Sequence, residues 1–176
     1  MFDSLITSKT RIKLLMKFFI NSNTKAYLRN LSGEFGESTN AIRQELNRFE
    51  QADLLQSETV QNKKVYRANI QHPFYGDLHR LLLKYVGIDQ IVDELVNRVG
   101  NLREAFVIND FAQGKPGNII DLILVGSNFD EAFLNHLVKK TEENVKFKIR
   151  YITVEPEELP QYIKDKTKSL LVWSAT

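Results

Sequence analysis

Asn40, Arg43, Gln44 and Asn47 form the most chemically specific pattern in this 176-residue chain. Their spacing of i, i+3, i+4, i+7 puts them on one stripe of a helix. Arg can bond guanine bidentately, and Asn or Gln can do the same for adenine. Such a stripe suits the second helix of a helix-turn-helix, whose N-terminal turns lie nearest the bases in the major groove. A solvated face with no partner is the competing account. Ser38 and Thr39 stand just ahead, where they can cap the helix and anchor a phosphate. Lys63, Lys64 and Arg67 follow, at places where cations would grip the backbone with salt-sensitive, sequence-independent affinity.

Residues suited to catalysis are sparse. Zero Cys removes a disulfide framework, a thiolate nucleophile and a Cys-based zinc site. His72, His79 and His136 lack metal-ligand spacing, and no glycine-rich phosphate loop of the Walker type occurs. Gly114, Gly117 and Gly126 read as turn residues. No cofactor is expected.

The elements that must position these groups follow from periodicity. Ile12, Leu15, Met16 and Phe19 give one buried stripe and predict a helix over 10–20, capped by Ser8, with Lys13 and Lys17 on the wet side. Asn21-Ser22-Asn23 breaks it. A second helix is expected over 26–35, stopped by Gly36, and a third from about 39 to 52 with Ile42, Leu46 and Phe49 inward. Strands 54–60 and 64–70 flank the polar connector Gln61-Asn62-Lys63. Three helices followed by a hairpin is the order of a winged helix.

From His72 two apolar-rich helices separated by Gly87 are expected. They either pack within the chain or join two copies as a symmetric dimer. Beyond them, strands over 104–108 and 119–125, a helix over 131–141, a strand over 145–154, a short helix opened by 155–159 and a last strand over 170–173 complete an α+β chain with a mixed sheet. Residues 1–71 are therefore read as one domain, 72–100 as a helical connector and 101–176 as a second domain.

Composition fits this division. The 43% hydrophobic and 26% charged content is that of a soluble globular protein. No apolar run approaches the ~18 residues of a membrane span, no signal peptide is evident, and a cytoplasmic location is expected. The overall charge of +2 conceals an asymmetry. Residues 1–70 hold 11 Lys+Arg against 7 Asp+Glu, and residues 71–176 hold 13 against 15. Only the front is suited to meet a polyanion.

Two resemblances sharpen the expectation. Leu28-Arg29-Asn30-Leu31, the run from Ser38 to Leu46, and Ala52-Asp53-Leu54-Leu55 resemble ArsR-like winged-helix transcription regulators, which implies a dimer on double-stranded DNA. Phe111-Ala112-Gln113-Gly114 and Ile120-Asp121-Leu122 resemble minimal nucleotidyltransferases of the DNA polymerase β superfamily. In that family a Gly-Ser turn receives phosphate and paired aspartates hold metal. Here Asn109-Asp110 takes the place of the Gly-Ser turn, Ile119 that of one aspartate, and 146–154 contain no carboxylate.

Nucleotidyl transfer needs at least two carboxylates to place divalent cations and backbone amides at a small-residue turn to receive phosphates. Asp121 is thus expected as a residual polar contact or strand-edge cap, with a makeshift metal pair to Asp110 as the minor alternative. Asn109, Asp110, Gly114 and Asp121 are read as a degenerate, non-catalytic motif. Front and rear together resemble regulators that fuse an ArsR-like reader to a nucleotidyltransferase-like scaffold for a protein partner or small-molecule effector. The rivals are an active nucleotidyltransferase targeted by its winged helix, and a protein–protein module.

Overall fold

The computed structural model describes residues 6–98, 101–165 and 168–175. Two compact units divide the chain: one runs through Leu82 and includes the turn 114–116, and the other holds the remainder from Leu83. The boundary between the units falls within the stretch 72–100 expected as a helical connector. Ile88, Ile91, Val92 and Leu95 are buried on the second unit's side of the boundary.

In the first unit, helix α1 (Lys9–Phe19) starts where Ser8 Oγ accepts the Arg11 amide. Lys17 is not on the wet side: it is 7% exposed, and its ammonium bonds Glu34 at 2.8 Å. Lys13 is half-buried against Glu37. Both lysines are drawn in by carboxylates on or just after the next helix, partners that helical periodicity cannot reveal.

Residues 26–27, expected to open the second helix, instead form strand β1 (Lys25–Tyr27), and helix α2 covers Leu28–Phe35. Gly36 ends α2 at φ 64°, a left-handed value that glycine adopts without steric cost. Helix α3 (Thr39–Gln51) follows, with Ser38 Oγ accepting the Ala41 amide. Ile42, Leu46 and Phe49 are buried on its inner face, and each contributes about 1.5–3 kcal/mol by leaving water.

Strands β2 (Leu55–Val60) and β3 (Lys63–Ala68) turn through Gln61 and Asn62, whose φ values of 48° and 60° suit the tight hairpin turn that matches strand twist. The expected two-stranded wing is a three-stranded antiparallel sheet ordered β1-β3-β2. Ala26 of β1, opposite Tyr66, is buried.

Helix α4 (Tyr75–Val86) ends at Gly87, where φ is 87° and an added Cβ would meet Thr141 Cγ2 at 2.6 Å. In the second unit come helix α5 (Ile88–Arg98), strand β4 (Leu102–Ile108), the one-turn helix α6 (Asn109–Ala112) and strand β5 (Ile119–Gly126). Helix α7 (Glu131–Asn144), strand β6 (Lys148–Val154), the short helix α8 (Leu159–Tyr162) and strand β7 (Ser169–Ser174) follow. The strand expected from Val145 starts at Lys148, because α7 runs on to Asn144 and Val145 is its cap.

The mixed sheet is ordered β6-β5-β4-β7, with β5 and β6 parallel and the other pairs antiparallel. Ile120, Leu122, Ile123, Leu124 and Val125 of β5 are all buried, as befits a central strand covered on both faces. Leu159 and Ile163 pack on Ile123, Val125 and Val154. Among the described residues, no helix is long and apolar enough to cross a membrane.

Candidate nucleic-acid interface

The first unit carries a groove of about 760 Å³ between the start of α2, the outer face of α3 and the hairpin. Its cations are Arg29, Arg43, Lys63 and Lys64; its amides are Asn30, Asn47 and Asn62; among the described residues no carboxylate lines it. Concave shape, four cations and three amides suit a polyanion whose phosphates accept hydrogen bonds.

The expected ridge on α3 divides in two. Asn40, Arg43, Gln44 and Asn47 are all exposed. Arg43 and Asn47, one turn apart, line the groove, whereas Asn40 and Gln44 lie outside its lining. Ser38 and Thr39 are exposed at the head of the helix. The Ser38 hydroxyl accepts one backbone amide as cap, which leaves its proton to donate. Arg67 is exposed on β3 opposite Lys25, and it too lies outside the lining.

The groove's cations differ in commitment. Arg29, Arg43 and Lys63 have no carboxylate partner among the described residues, and Lys63 lies 5.8 Å from the Tyr27 ring centroid. Lys64 is held: it bonds Glu50 at 2.7 Å and sits 5.2 Å from the Tyr66 ring. That bond to Glu50 raises the Lys64 pKa above its ordinary value. Glu50 also accepts from Ser57 of β2, which fastens α3 to the hairpin.

A buried carboxylate fixes the helix from beneath. Glu45 is 6% exposed and accepts from Ser8 Oγ at 3.1 Å, Arg11 Nε at 2.9 Å and Arg48 at 3.1 Å. Burial opposes its ionisation, but those bonds and the two guanidinium charges prevail, so its carboxyl stays below the usual range.

In the second unit Asp121 is engaged by partners within the fold. Asp121 of β5 and Arg150 of β6 are register partners in the parallel pair. The guanidinium donates to both carboxylate oxygens, at 2.6 and 2.9 Å, and Asn109 Nδ2 donates to one of them at 3.0 Å. Burial pushes the Asp121 pKa up, but the Arg150 and Asn109 bonds and the Arg150 charge outweigh it and hold the carboxyl low. Asn109 adopts φ 63°, a left-handed value that Asn tolerates better than most residues. Asp110 is exposed in the first turn of α6, and Gly114 groups with the other unit. Among the described residues, no group of three or more Asp, Glu or His is arranged to hold a metal ion.

No protein-family profile matches the chain, and no curated protein matches it. Among solved structures, a Sulfolobus solfataricus protein provisionally named a nucleotidyltransferase is similar in part. Its sequence identity is 20% and the TM-score 0.38, over 52% of this chain and 82% of that one. A TM-score of that size leaves fold and function to be argued from this chain's own residues.

Arg29, Asn30, Asn62, Tyr27 and Tyr66 join the groove without having been singled out as site residues. An available signal was the Arg29-Asn30 pair at the start of α2. Arg150 was missed as well, since only the β5–β6 register brings it to Asp121.

Proposed function

We propose that this chain is a DNA-binding transcription regulator whose first unit is a winged helix and which reads duplex DNA as a dimer. The carrying observation is the groove in which Arg29, Arg43 and Lys63 have no carboxylate partner among the described residues. One strand's phosphates would run through it, held by Arg29, Arg43, Lys63 and, more weakly, Lys64. Asn40 and Gln44 would meet base edges from outside the groove, with Ser38 and Thr39 donating to a phosphate at the head of α3. Arg43 and Asn47 sit where both roles meet.

The second unit acts, in this reading, as a nucleotidyltransferase-like scaffold without catalysis. Support comes from Arg150 and Asn109, whose three hydrogen bonds engage both oxygens of Asp121 and leave that carboxylate poorly placed to bind magnesium.

Fluorescence anisotropy with mixed-sequence duplex at about 50 and 200 mM salt tests the reading, because each phosphate contact adds about 0.9 to the salt slope. Arg43→Ala with Asn47→Ala should weaken preference among sequences, and the part that remains should be lost when Asn40 and Gln44 are changed to Ala as well. Lys63→Ala with Lys64→Ala should mainly flatten the salt dependence. No shift at low salt would remove the DNA-binding reading. For the second unit, incubation with labelled nucleoside triphosphate and magnesium should give no incorporation; incorporation that depends on Asp121 would make the chain an enzyme instead.

A further inference from the structure

Among the described residues, strand β6 is an outer strand with β5 as its only neighbour in the sheet. Successive N–H groups of a strand point to alternate edges. Lys148 N donates to Asn118 O at 2.7 Å, towards the chain entering β5, so the amides of Ile149, Tyr151 and Thr153 face outward. Glu142 agrees with this count: its carboxylate accepts the outward Ile149 amide at 2.7 Å. The outward N–H and C=O groups of Tyr151 and Thr153 have no backbone partner among the described residues.

Those two rungs lie in a groove of about 590 Å³ whose lining includes the five consecutive residues 149–153. Helix α7 lines it through Glu131, Asn135 and Val138, and Tyr162 of α8 also contributes. Ile152 and Tyr162 are exposed apolar surface within it. A groove bordered by two helices admits a single extended chain more readily than the edge of another folded sheet.

Charge narrows the occupant. Glu131 accepts from Tyr151 Oη and Thr153 Oγ1, both at 3.2 Å, so its partners are neutral hydroxyls. Burial and this negative charge together push the Tyr151 phenol up to about 12. Glu131 and Thr153 also line an adjoining depression of about 280 Å³ with Glu155 and Glu158 and, among the described residues, no cation. One end of the edge is therefore acidic, and the groove's cation, Arg150, is already paired with Asp121.

We propose that the outer edge of β6 docks an extended segment of a partner protein, which adds a strand and sets a lysine or arginine against Glu131. Main-chain bonds to Tyr151 and Thr153 supply the ladder, and the acidic end sets its register.

The probe is a fluorescein-labelled peptide of about seven residues alternating Lys and Val, titrated into the full chain. One control replaces Lys with Glu, and the other is N-methylated at alternate amides so that it cannot form a ladder. The Lys–Val peptide should bind saturably, and each control about ten-fold more weakly. Thr153→Pro, which removes one outward amide, should weaken the Lys–Val peptide by a similar factor. Should that variant not fold, Glu131→Lys gives the decision, because it should transfer preference to the Glu–Val peptide. Equal binding of the N-methylated peptide means charge attraction alone and overturns the proposal, as does no saturable binding. Sedimentation revealing a dimer that Thr153→Pro dissolves would make a second copy the occupant, and would overturn it too.

Discussion

The groove of the first unit and the Asp121 site of the second contain similar raw material and treat it in opposite ways. In the groove, Arg29, Arg43 and Lys63 face solvent without a carboxylate partner among the described residues. At Asp121 the strand register delivers Arg150 to the carboxylate, and charge is cancelled within the fold. Counting charged residues would not separate the two. What differs is whether the backbone supplies the counter-charge, and a surface whose cations lack one is suited to an external partner.

Charge reversal of the groove should break this comparison most visibly. Arg29→Glu with Arg43→Glu should lower duplex affinity at least about a hundred-fold at low salt, read by anisotropy. An unchanged affinity would make the groove's open charge irrelevant. Next in size, Glu45→Ala should cost about 2–3 kcal/mol in urea unfolding, since it leaves Arg11 and Arg48 without their buried acceptor. The Glu45 carboxyl is depressed on folding, so its contribution is present above the ordinary value of 4.5 and is lost as pH falls through the lowered folded value. The deficit of Glu45→Gln should accordingly shrink towards acid pH; a constant deficit would mean that packing, not charge, is responsible.

Smaller effects sharpen the contrast. Glu50→Gln should release Lys64 to the groove and raise duplex affinity about three-fold, with a steeper salt slope. A fall in affinity would mean that Glu50 acts by holding the hairpin in place. Arg150→Ala should let the Asp121 carboxyl rise towards its ordinary 3.8, followed by carbon-detected titration. An unmoved Asp121 would assign the lowering to Asn109.

Much of the first unit could be read from local chemistry. Ser8, Ser38 and Gly36 mark helix ends through their own side chains or the lack of one, and the inner stripe of α3 repeats at helical spacing. What escaped depended on distant partners. A strand as short as Lys25–Tyr27 shows no alternation, and its stability comes from pairing with β3 about 40 residues later. Glu45 is a polar residue at a buried position, intelligible only once Ser8 and Arg11 are beside it. The four-residue ridge was legible as a stripe; its division was not, because the hairpin that forms the groove's far wall is remote in sequence. At Asp121 the absence of paired carboxylates was visible, but the guanidinium that occupies the remaining one required a parallel register between strands.

Glu142 has a bearing on how the protein behaves in concentrated solution. By accepting the Ile149 amide, it shortens the open edge of β6 to the rungs of Tyr151 and Thr153, which disfavours edge-to-edge stacking of copies. A single carboxylate can thus act as a stopper against fibre growth while an incoming chain still finds two rungs to grasp.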